Sequence, residues 1–400
     1  MTRPARQPFR IFRVGGSVRD ELLGRASGDR DWVVVGATPE MLAASGFRAV
    51  GSDFPVFLHP ETKEEYALAR TERKHGRGYR GFEFFASPDV TLEADLARRD
   101  LTINAMARDD AGALIDPHGG ERDLRAGVLR HVSPAFVEDP LRVLRVARFA
   151  ARFGFEVAPE TLKLMRALAG SGELPTLAAE RVWQEIARGL MEPHPARMLA
   201  VLHDARALAA VLPEVAAGYP DRGRRSGRWM RLLRALDRAA AQAATLEARY
   251  AVLAHDLAPA TAGSPSRART RAADGLSSRL KVPAACRDAA RLVARSLPDL
   301  ARIEALRPAA ILQVLQFADA LRRPERLEVL LSAWSAIDPA ASAAASKWRD
   351  AQKVVRGVAL RDVARAHRHA DAISKAVRAA RLSALRQWKL QRPLGKAAGS

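Results

Sequence analysis

The stretch VGGSVRD at residues 14–20, which GDRDW follows at residues 28–32, decides the fold of this chain. The apolar run Phe9–Val14 predicts a β-strand, and Val18–Leu23 predicts a short helix. Two glycines between a strand and a helix let backbone N–H groups approach a phosphate at a helix N-terminus, where anions are favoured. Arg19, one turn into that helix, is placed to hold a phosphate oxygen. An ordinary tight turn is the alternative interpretation of the two glycines.

Two aspartates, Asp29 and Asp31, stand two residues apart just ahead of the apolar run Trp32–Val35. Residues i and i+2 of a strand point to the same face, so the two carboxylates are expected side by side. Adjacent like charges are unfavourable unless a cation neutralises them. Hard oxygen ligands suit Mg²⁺ that is shared with substrate phosphates. We therefore predict a magnesium site; the alternative is a polar turn without metal, which the glycine pair upstream makes less favoured.

The region up to residue 118 is predicted to be mixed α/β, with a short helix at Pro39–Ala44. Glu65 begins one of its strands, where its carboxylate would complete the metal site. Glu64 beside it, or surface exposure of both, competes with this interpretation. The further predicted strands are Trp32–Val35, Val56–His59, Tyr66–Ala69 and Phe82–Ala86.

A second polar segment, Arg98–Ala105, joins two arginines to alternating polar and apolar residues. Arg99 is placed to reach a phosphate or a sugar, and Asp100 or Asn104 to hydrogen-bond a ribose hydroxyl. The alternative is the charged end of a helix.

The segment EDPLRVLRVARF at residues 138–149 predicts a helix with an unusual polar stripe. Its proline fits the first turn, with Asp139 at the N-cap. Asp139, Arg142, Arg145 and Arg148 step by three and share one slowly turning face. Such a face suits a reader of a base and its phosphates: the carboxylate accepts from an exocyclic amine, and the arginines donate to ring acceptors and phosphates. A basic surface helix is the alternative.

The composition bounds the class of protein. At 400 residues, of which 48% are hydrophobic, the chain is long enough for two or three domains. No apolar run is long enough for a transmembrane helix. The single cysteine, Cys286, excludes an internal disulfide and cysteine-rich zinc sites, so we expect a cytoplasmic protein. The formal charge of +20 favours a nucleic-acid partner, with the arginine bias of a high-GC genome as the alternative explanation.

From Pro140 onward the pattern changes to helices. Ala, Leu, Arg and Val recur at helical spacing, strand signals vanish, and no repeat of fixed period is found. The last stretch, Lys347–Lys396, carries fourteen Lys or Arg against three Asp. It is interpreted either as a solvated surface or as an RNA-facing tail.

Together these segments resemble the class II tRNA nucleotidyltransferases, the CCA-adding enzymes of the polymerase-β-like superfamily. The likeness is closest to the bacterial form and covers roughly the first half of the chain, to about Leu190. It implies an α+β protein with a small mixed β-sheet nucleotidyltransferase head at residues 1–118. The head would be followed by an all-helical neck at 119–205, which contains the nucleotide-selecting helix. A helical body and basic tail at 206–400 would then bind the tRNA.

The resemblance also implies roles for single residues. Asp29 and Asp31 match the metal ligands of the family, and Glu65 resembles a third acidic position near them. Asp139 and Arg142 match the protein template that selects C or A over G and U, because a wrong base would leave buried groups unsatisfied. Further positions match contacts to ATP or CTP: Gly16, Arg19, Arg99, Arg145 and Arg148.

The implied reaction is the Mg²⁺-dependent addition of CMP, CMP and AMP to a tRNA 3′ end from CTP and ATP, by a monomer or a homodimer. A bacterial poly(A) polymerase, which shares the head and neck, is the alternative. Glu180–Trp183 resembles the start of a later family helix and is expected to be structural. Relatives of the bacterial form often carry an HD phosphohydrolase domain. Here only His255-Asp256 survives, too few ligands for a metal site, so we expect that activity to be lost.

Overall fold

The computed structural model describes residues 9–26, 28, 30–50, 56–74, 82–218, 227–257, 265–367 and 369–391. The chain divides into two compact units. Unit 1 comprises Met1–Gly189 and Arg197–Val211, and unit 2 comprises Leu190–Ala196 and Leu212–Ser400. The division into three domains at residues 118 and 205 stays a prediction.

Unit 1 contains a mixed sheet. The strands are β1 Arg10–Val14, β2 Asp31–Val35, β3 Arg48–Val50, β4 Val56–Leu58, β5 Glu65–Leu68, β6 Arg70–Lys74, β7 Phe82–Ala86, β8 Ala107–Arg108, β9 Leu114–Ile115, β10 Val128–Leu129 and β11 Glu156–Val157. Seven of them form one sheet in the order β3-β4-β5-β2-β1-β8-β9, while β6 pairs with β7 and β10 with β11. In the large sheet β2 and β5 run parallel, and the other neighbours are antiparallel.

Both faces of this sheet are covered by apolar side chains. Val34 packs on one face in a cluster that includes Tyr66, and Val33 packs in a separate cluster on the other face. Because side chains alternate along a strand, Asp31 lies on the face of Val33, and Glu65 lies on the face opposite to Tyr66. The two carboxylates therefore share one face of the sheet.

The helices up to residue 211 follow the sheet strands or connect them. They are α1 Gly16–Leu22, α2 Pro39–Ala44, α3 Leu92–Ala97, α4 Gly120–Ala126, α5 Leu141–Phe153, α6 Pro159–Gly170, α7 Ala179–Met191, α8 Pro195–Asp204 and α9 Leu208–Val211. One of the 3₁₀ turns in this region, Thr102–Asn104, follows α3.

Unit 2 is helical throughout its described residues. Its helices are α10 Pro213–Gly218, α11 Gly227–Ala241, α12 Leu246–Ala254, α13 Pro265–Arg279, α14 Ala284–Leu300, α15 Pro308–Phe317, α16 Glu325–Ile337, α17 Ser342–Arg356, α18 Leu360–Arg365 and α19 Ala370–Leu390. The seven residues Ala248–Ala254 are all buried, which makes α12 the central helix of this unit. Within the described ranges, no helix combines the length and apolar character that a membrane span requires.

The predicted fold class is confirmed. The five predicted strands and the helix Pro39–Ala44 are present with shifts of no more than one residue at either end. Strands β3, β6, β8 and β9 were not predicted, because such short or strongly charged segments carry little alternation. The short ladder of β10 and β11 also interrupts the region that was expected to be wholly helical.

Candidate active site

The acidic pair of the sheet lies at the starts of two neighbouring strands. Asp31 on β2 stands directly opposite Glu65 on the parallel strand β5. A cavity of about 680 Å³ is lined by both residues. Glu64, the competing acid, accepts a hydrogen bond from Trp32 Nε1 at 3.2 Å, and Trp32 packs on the opposite face of the sheet. This arrangement favours Glu65 over Glu64 as the neighbour of Asp31.

The metal prediction depends on a residue that the structure does not place. Asp29 lies outside the described residues. Among the residues that are described, no group of three or more His, Cys, Asp or Glu side chains is close enough to hold a metal. The pair of Asp31 and Glu65 supplies the hard oxygen atoms that a divalent cation prefers, and their role as ligands stays a prediction.

The other predicted site residues meet in one cleft of unit 1, with a volume of about 500 Å³. Asp31 and Gly16 also line it, so this cleft adjoins the acidic pair. The charged part of its lining comprises Arg19, Arg98, Arg99, Arg142, Arg145, Arg148, Arg152, Arg181, Asp31, Asp100 and Asp139. Eight arginines against three aspartates make a strongly electropositive cleft, which suits a polyphosphate.

The turn into α1 requires glycine at its first position. Gly15 has φ 71° and ψ −127°, a combination that side chains with a Cβ do not tolerate. Its N–H donates to the carbonyl oxygen of Met106 at 3.0 Å, which anchors the turn to the core. The first N–H groups of α1 have no partner inside the helix and lie at the edge of the cleft, where Gly16 lines it.

Arg19 is buried at the base of the cleft. Its Nε donates to Asp20 Oδ1 at 2.9 Å, and its Nη1 donates to Asn104 Oδ1. The guanidinium also stacks over the ring of Phe153, with its central carbon 4.9 Å from the ring centroid. Burial lowers the pKa of Arg19, and the charge of Asp20 opposes that change. The side chain is therefore held in one orientation toward the cleft.

Asp100 connects this arginine to α5. Its carboxylate accepts hydrogen bonds from Asn104 Nδ2 at 3.0 Å and from Arg145 Nε at 2.8 Å. Burial alone would raise the pKa of Asp100, but the charge of Arg145 and these hydrogen bonds lower it to about 2. The same ion pair raises the pKa of Arg145. Asn104 in turn accepts from Arg19, so Asp100 and Asn104 link Arg19 to Arg145.

The polar stripe of α5 faces the cleft rather than bulk solvent. Asp139 has an extended backbone and accepts from the N–H of Leu141 at 3.0 Å, which is the capping role predicted for it, although the helix itself begins at Leu141. Arg142 donates to the carbonyl oxygens of Ala135 and Arg98 at 3.2 and 2.6 Å. With only 8% of its surface exposed, Arg142 does not belong to a solvated face.

Arg148, further along the same stripe, pairs with a second helix. Its Nε lies 2.6 Å from Glu185 Oε2 on α7, and both residues are buried. The alternative of a basic surface helix is therefore not what the structure contains.

The sequence reasoning missed several residues that line the cleft. Arg152 stands four positions after Arg148 on α5, so helical spacing could have identified it. Arg181, expected to be structural, also lines the cleft, with its Nη2 3.7 Å from Asp139 Oδ2. No local pattern identifies Arg181, because it reaches this position only through the packing of a later helix.

Comparisons with known proteins identify the family of this chain. Residues 11–130 match a family model described as "Poly A polymerase head domain". Residues 154–218 match a second model, described as "Probable RNA and SrmB- binding site of polymerase A". The "Multifunctional CCA protein" of Azoarcus sp. (strain BH72) is 51% identical, over 96% of this chain and 98% of its own. The protein of that name from Nitrosomonas europaea is 55% identical, over 81% of this chain and 82% of its own length.

A solved structure extends the agreement to the fold. The Bacillus stearothermophilus CCA-adding enzyme in complex with CTP is 27% identical, with a TM-score of 0.66 over 95% of this chain and 89% of that one. The fold, the glycine turn and the arginine-lined cleft next to an acidic strand pair define a nucleotidyltransferase. Within that class, the chain belongs to the CCA-adding family of tRNA nucleotidyltransferases. Enzymes of this family generally depend on divalent metal ions.

Proposed function

We propose that this enzyme adds CMP, CMP and AMP in turn to the 3′ end of tRNA, using CTP and ATP, and that the cleft of unit 1 binds the incoming nucleotide. The observation that carries the proposal is the convergence of seven predicted nucleotide contacts on one cleft that Asp31 adjoins. They are Gly16, Arg19, Arg99, Asp139, Arg142, Arg145 and Arg148. Such a cleft replaces a nucleic-acid template with fixed side chains.

The proposed metal is Mg²⁺, held by Asp29 and Asp31 with Glu65 beside them. The fit is supported by the register that places Glu65 opposite Asp31 and by the oxygen-only donors. When bound, the metal ions would activate the terminal hydroxyl of the tRNA and stabilise the pyrophosphate that leaves.

The protein's own groups divide the remaining work. The N-terminus of α1 and Arg19 are proposed to hold the triphosphate, together with Arg99, because backbone N–H groups and guanidinium groups both suit phosphate oxygens. Asp139 and Arg142 are proposed to hydrogen-bond the base. Since Arg142 is held by two backbone carbonyls, its remaining donors point in fixed directions, which supports discrimination between bases.

The tRNA is the proposed macromolecular partner. The formal charge of +20 supports it, because phosphate contacts dominate the affinity of proteins for nucleic acids. A cytoplasmic location and a monomeric or homodimeric state are part of the same proposal.

We also propose that unit 2 has lost the phosphohydrolase activity of HD domains. Asp256 Oδ2 lies 2.9 Å from Arg228 Nε, so the carboxylate is neutralised by an arginine. His255 is buried, its Nδ1 lies 2.7 Å from the carbonyl oxygen of Val252, and burial lowers its pKa. A cation beside Asp256 would have to compete with the charge of Arg228.

A direct test uses tRNA that lacks one, two or three terminal nucleotides. Incubation with CTP and ATP, alone and together, followed by sequencing of the products should show addition that stops after CCA. Continued addition of AMP would instead support the alternative, a poly(A) polymerase. No incorporation by the intact chain with Mg²⁺ would contradict both.

The same assay tests the acidic pair. Asp31→Ala should lower the rate of incorporation by at least about 10³-fold, because charge stabilisation at the reacting atoms is lost. The affinity for tRNA should change by less than about twofold, since one acidic side chain makes little contribution to phosphate contacts. Retained turnover in Asp31→Ala would refute the proposed role.

A further inference from the structure

A groove in unit 2 carries charged and aromatic groups that nucleotidyl transfer does not use. We define the α13–α15 groove by Ser266, Arg267, Thr270, Arg271, Arg295 and Phe317. It consists of two cavities of about 240 and 720 Å³ that share Ser266 and Arg295. The groove is therefore continuous from the exposed side of α13, across α14, to the end of α15.

The positive charge of the groove is available to a ligand. Arg267 and Arg271 lie one helical turn apart and are both exposed, so their guanidinium groups lie on the same side of α13. Among the described residues, neither they nor Arg295 have an ion pair with a carboxylate. Two acids, Asp274 and Asp299, also line the groove, and Asp274 is already paired with Arg291. The net charge of the groove is positive.

One side of the groove is aromatic. Phe317 is 38% exposed and is the one exposed large aromatic residue in the described part of unit 2. The guanidinium carbon of Arg295 lies 4.0 Å from the centre of its ring, a stacked cation–π contact. Aromatic rings and guanidinium planes are the surfaces on which unpaired bases stack in RNA-binding proteins.

We infer that the α13–α15 groove is a second RNA contact, which binds unpaired nucleotides of the tRNA substrate. Arg267 and Arg271 contact two phosphates, and the stacked pair of Arg295 and Phe317 receives a base. The inference rests on the proposed function, since it takes tRNA as the substrate. It assigns to the segment after residue 213 a role in substrate binding that is separate from the chemistry.

The test measures binding of intact tRNA to the full chain at several salt concentrations. The double variant Arg267→Ala/Arg271→Ala should weaken binding about tenfold near physiological salt and reduce the slope of log K against log salt by about 1.4, for two phosphate contacts to a single strand. Phe317→Ala should weaken binding about five- to tenfold with an unchanged slope, because stacking is not an ionic contact. Wild type should protect an unpaired tRNA region from a single-strand-specific ribonuclease, and Phe317→Ala should not.

The matched control is Arg322→Ala/Arg349→Ala. It removes the same formal charge from two exposed arginines of unit 2 that already pair with Asp319 and Glu328. Affinities of the groove variants within twofold of wild type, or losses no larger than those of this control, would overturn the inference. A groove that serves an acidic protein instead would give that result. Because binding is measured without turnover, failure of the intact chain to add nucleotides would count against the proposed function and not against the groove.

Discussion

At the scale of single residues, two buried carboxylates hold arginines of the cleft in place. Asp95 is fully buried and accepts hydrogen bonds from Arg98 and Arg99 at 3.0 and 3.3 Å. Asp100 holds Arg145 in the same way. Eight like charges around one cleft repel each other, so these acids lower the free energy of the folded state before any nucleotide binds.

The low pKa of Asp100 predicts a stability effect that depends on pH. Its pKa falls from 3.8 to about 2 on folding, so the charged form stabilises the fold by about 2 kcal/mol above pH 4, and this contribution is lost as the pH falls toward 2. Asp100→Asn should therefore lower the free energy of unfolding in urea by about that amount at pH 7, and by progressively less below pH 4. A difference that does not depend on pH would contradict the ion pair as its source.

Arg142 should determine which nucleotide is added. Arg142→Ala should relax the choice among the four nucleoside triphosphates, because the fixed donors to the base are lost, whereas the triphosphate contacts remain. We expect the preference for CTP over UTP to fall about 10- to 100-fold, as for the loss of one or two good hydrogen bonds. Arg188→Ala, on the exposed side of α7, is the control. Equal slowing with all four nucleotides would exclude a templating role.

At the scale of whole elements, α5 and α7 are joined by a buried ion pair between Arg148 and Glu185. Arg148 and Glu185 are both less than a tenth exposed, so the loss of one partner leaves an uncompensated charge in the core. We therefore expect this ion pair to hold α5 against α7, so that the arginines of α5 face the cleft.

A double-mutant cycle tests this ion pair. The single variants Arg148→Met and Glu185→Leu should be compared with the double variant, and Glu185→Leu should destabilise the chain by about 3–5 kcal/mol, as expected for a buried pair that loses one member. Arg148→Met/Glu185→Leu should cost less than Glu185→Leu, because no charge remains buried. Urea unfolding measures both. Additive losses in the cycle would mean that the two side chains do not interact.

The local sequence predicted some of these elements and their surroundings, but not all of them. The glycine turn and the strand after Asp31 follow from short-range patterns, and both are present. The stripe of α5 was correctly placed on one helical face, but whether that face is solvated or buried depends on a partner 37 residues away in the chain, Glu185. Short-range periodicity contains no information about such a partner.

At the scale of the whole molecule, the relatives are called multifunctional, whereas we propose that unit 2 of this chain has lost the phosphohydrolase activity. Asp256 of unit 2 is paired with Arg228, and the α13–α15 groove is proposed to bind RNA. The formal net charge of +20 is consistent with a nucleic-acid partner, since phosphate contacts dominate the affinity of proteins for nucleic acids.

The loss of phosphohydrolase activity has a simple test. In the presence of Mg²⁺, Mn²⁺ or Ni²⁺, the chain should neither open the 2′,3′-cyclic phosphate of an RNA end to a monoester nor release phosphate from that monoester. Arg228→Ala should not restore the activity, because removing one arginine adds no metal ligand. The addition of CCA by the same preparation is the positive control. Metal-dependent ring opening or release of phosphate by wild type would show that unit 2 is still an active hydrolase.

By itself, the amino-acid sequence determined the family, the mixed sheet followed by helices, and most of the charged residues that line the cleft. These follow from glycine pairs, alternation and helical spacing, which act over a few residues. Only the tertiary structure decided which of these residues meet, that Glu65 stands beside Asp31, that Arg181 joins the cleft, and that Arg228 neutralises Asp256. Those contacts join positions far apart in the chain, and they arise from burial and charge pairing that no local pattern records.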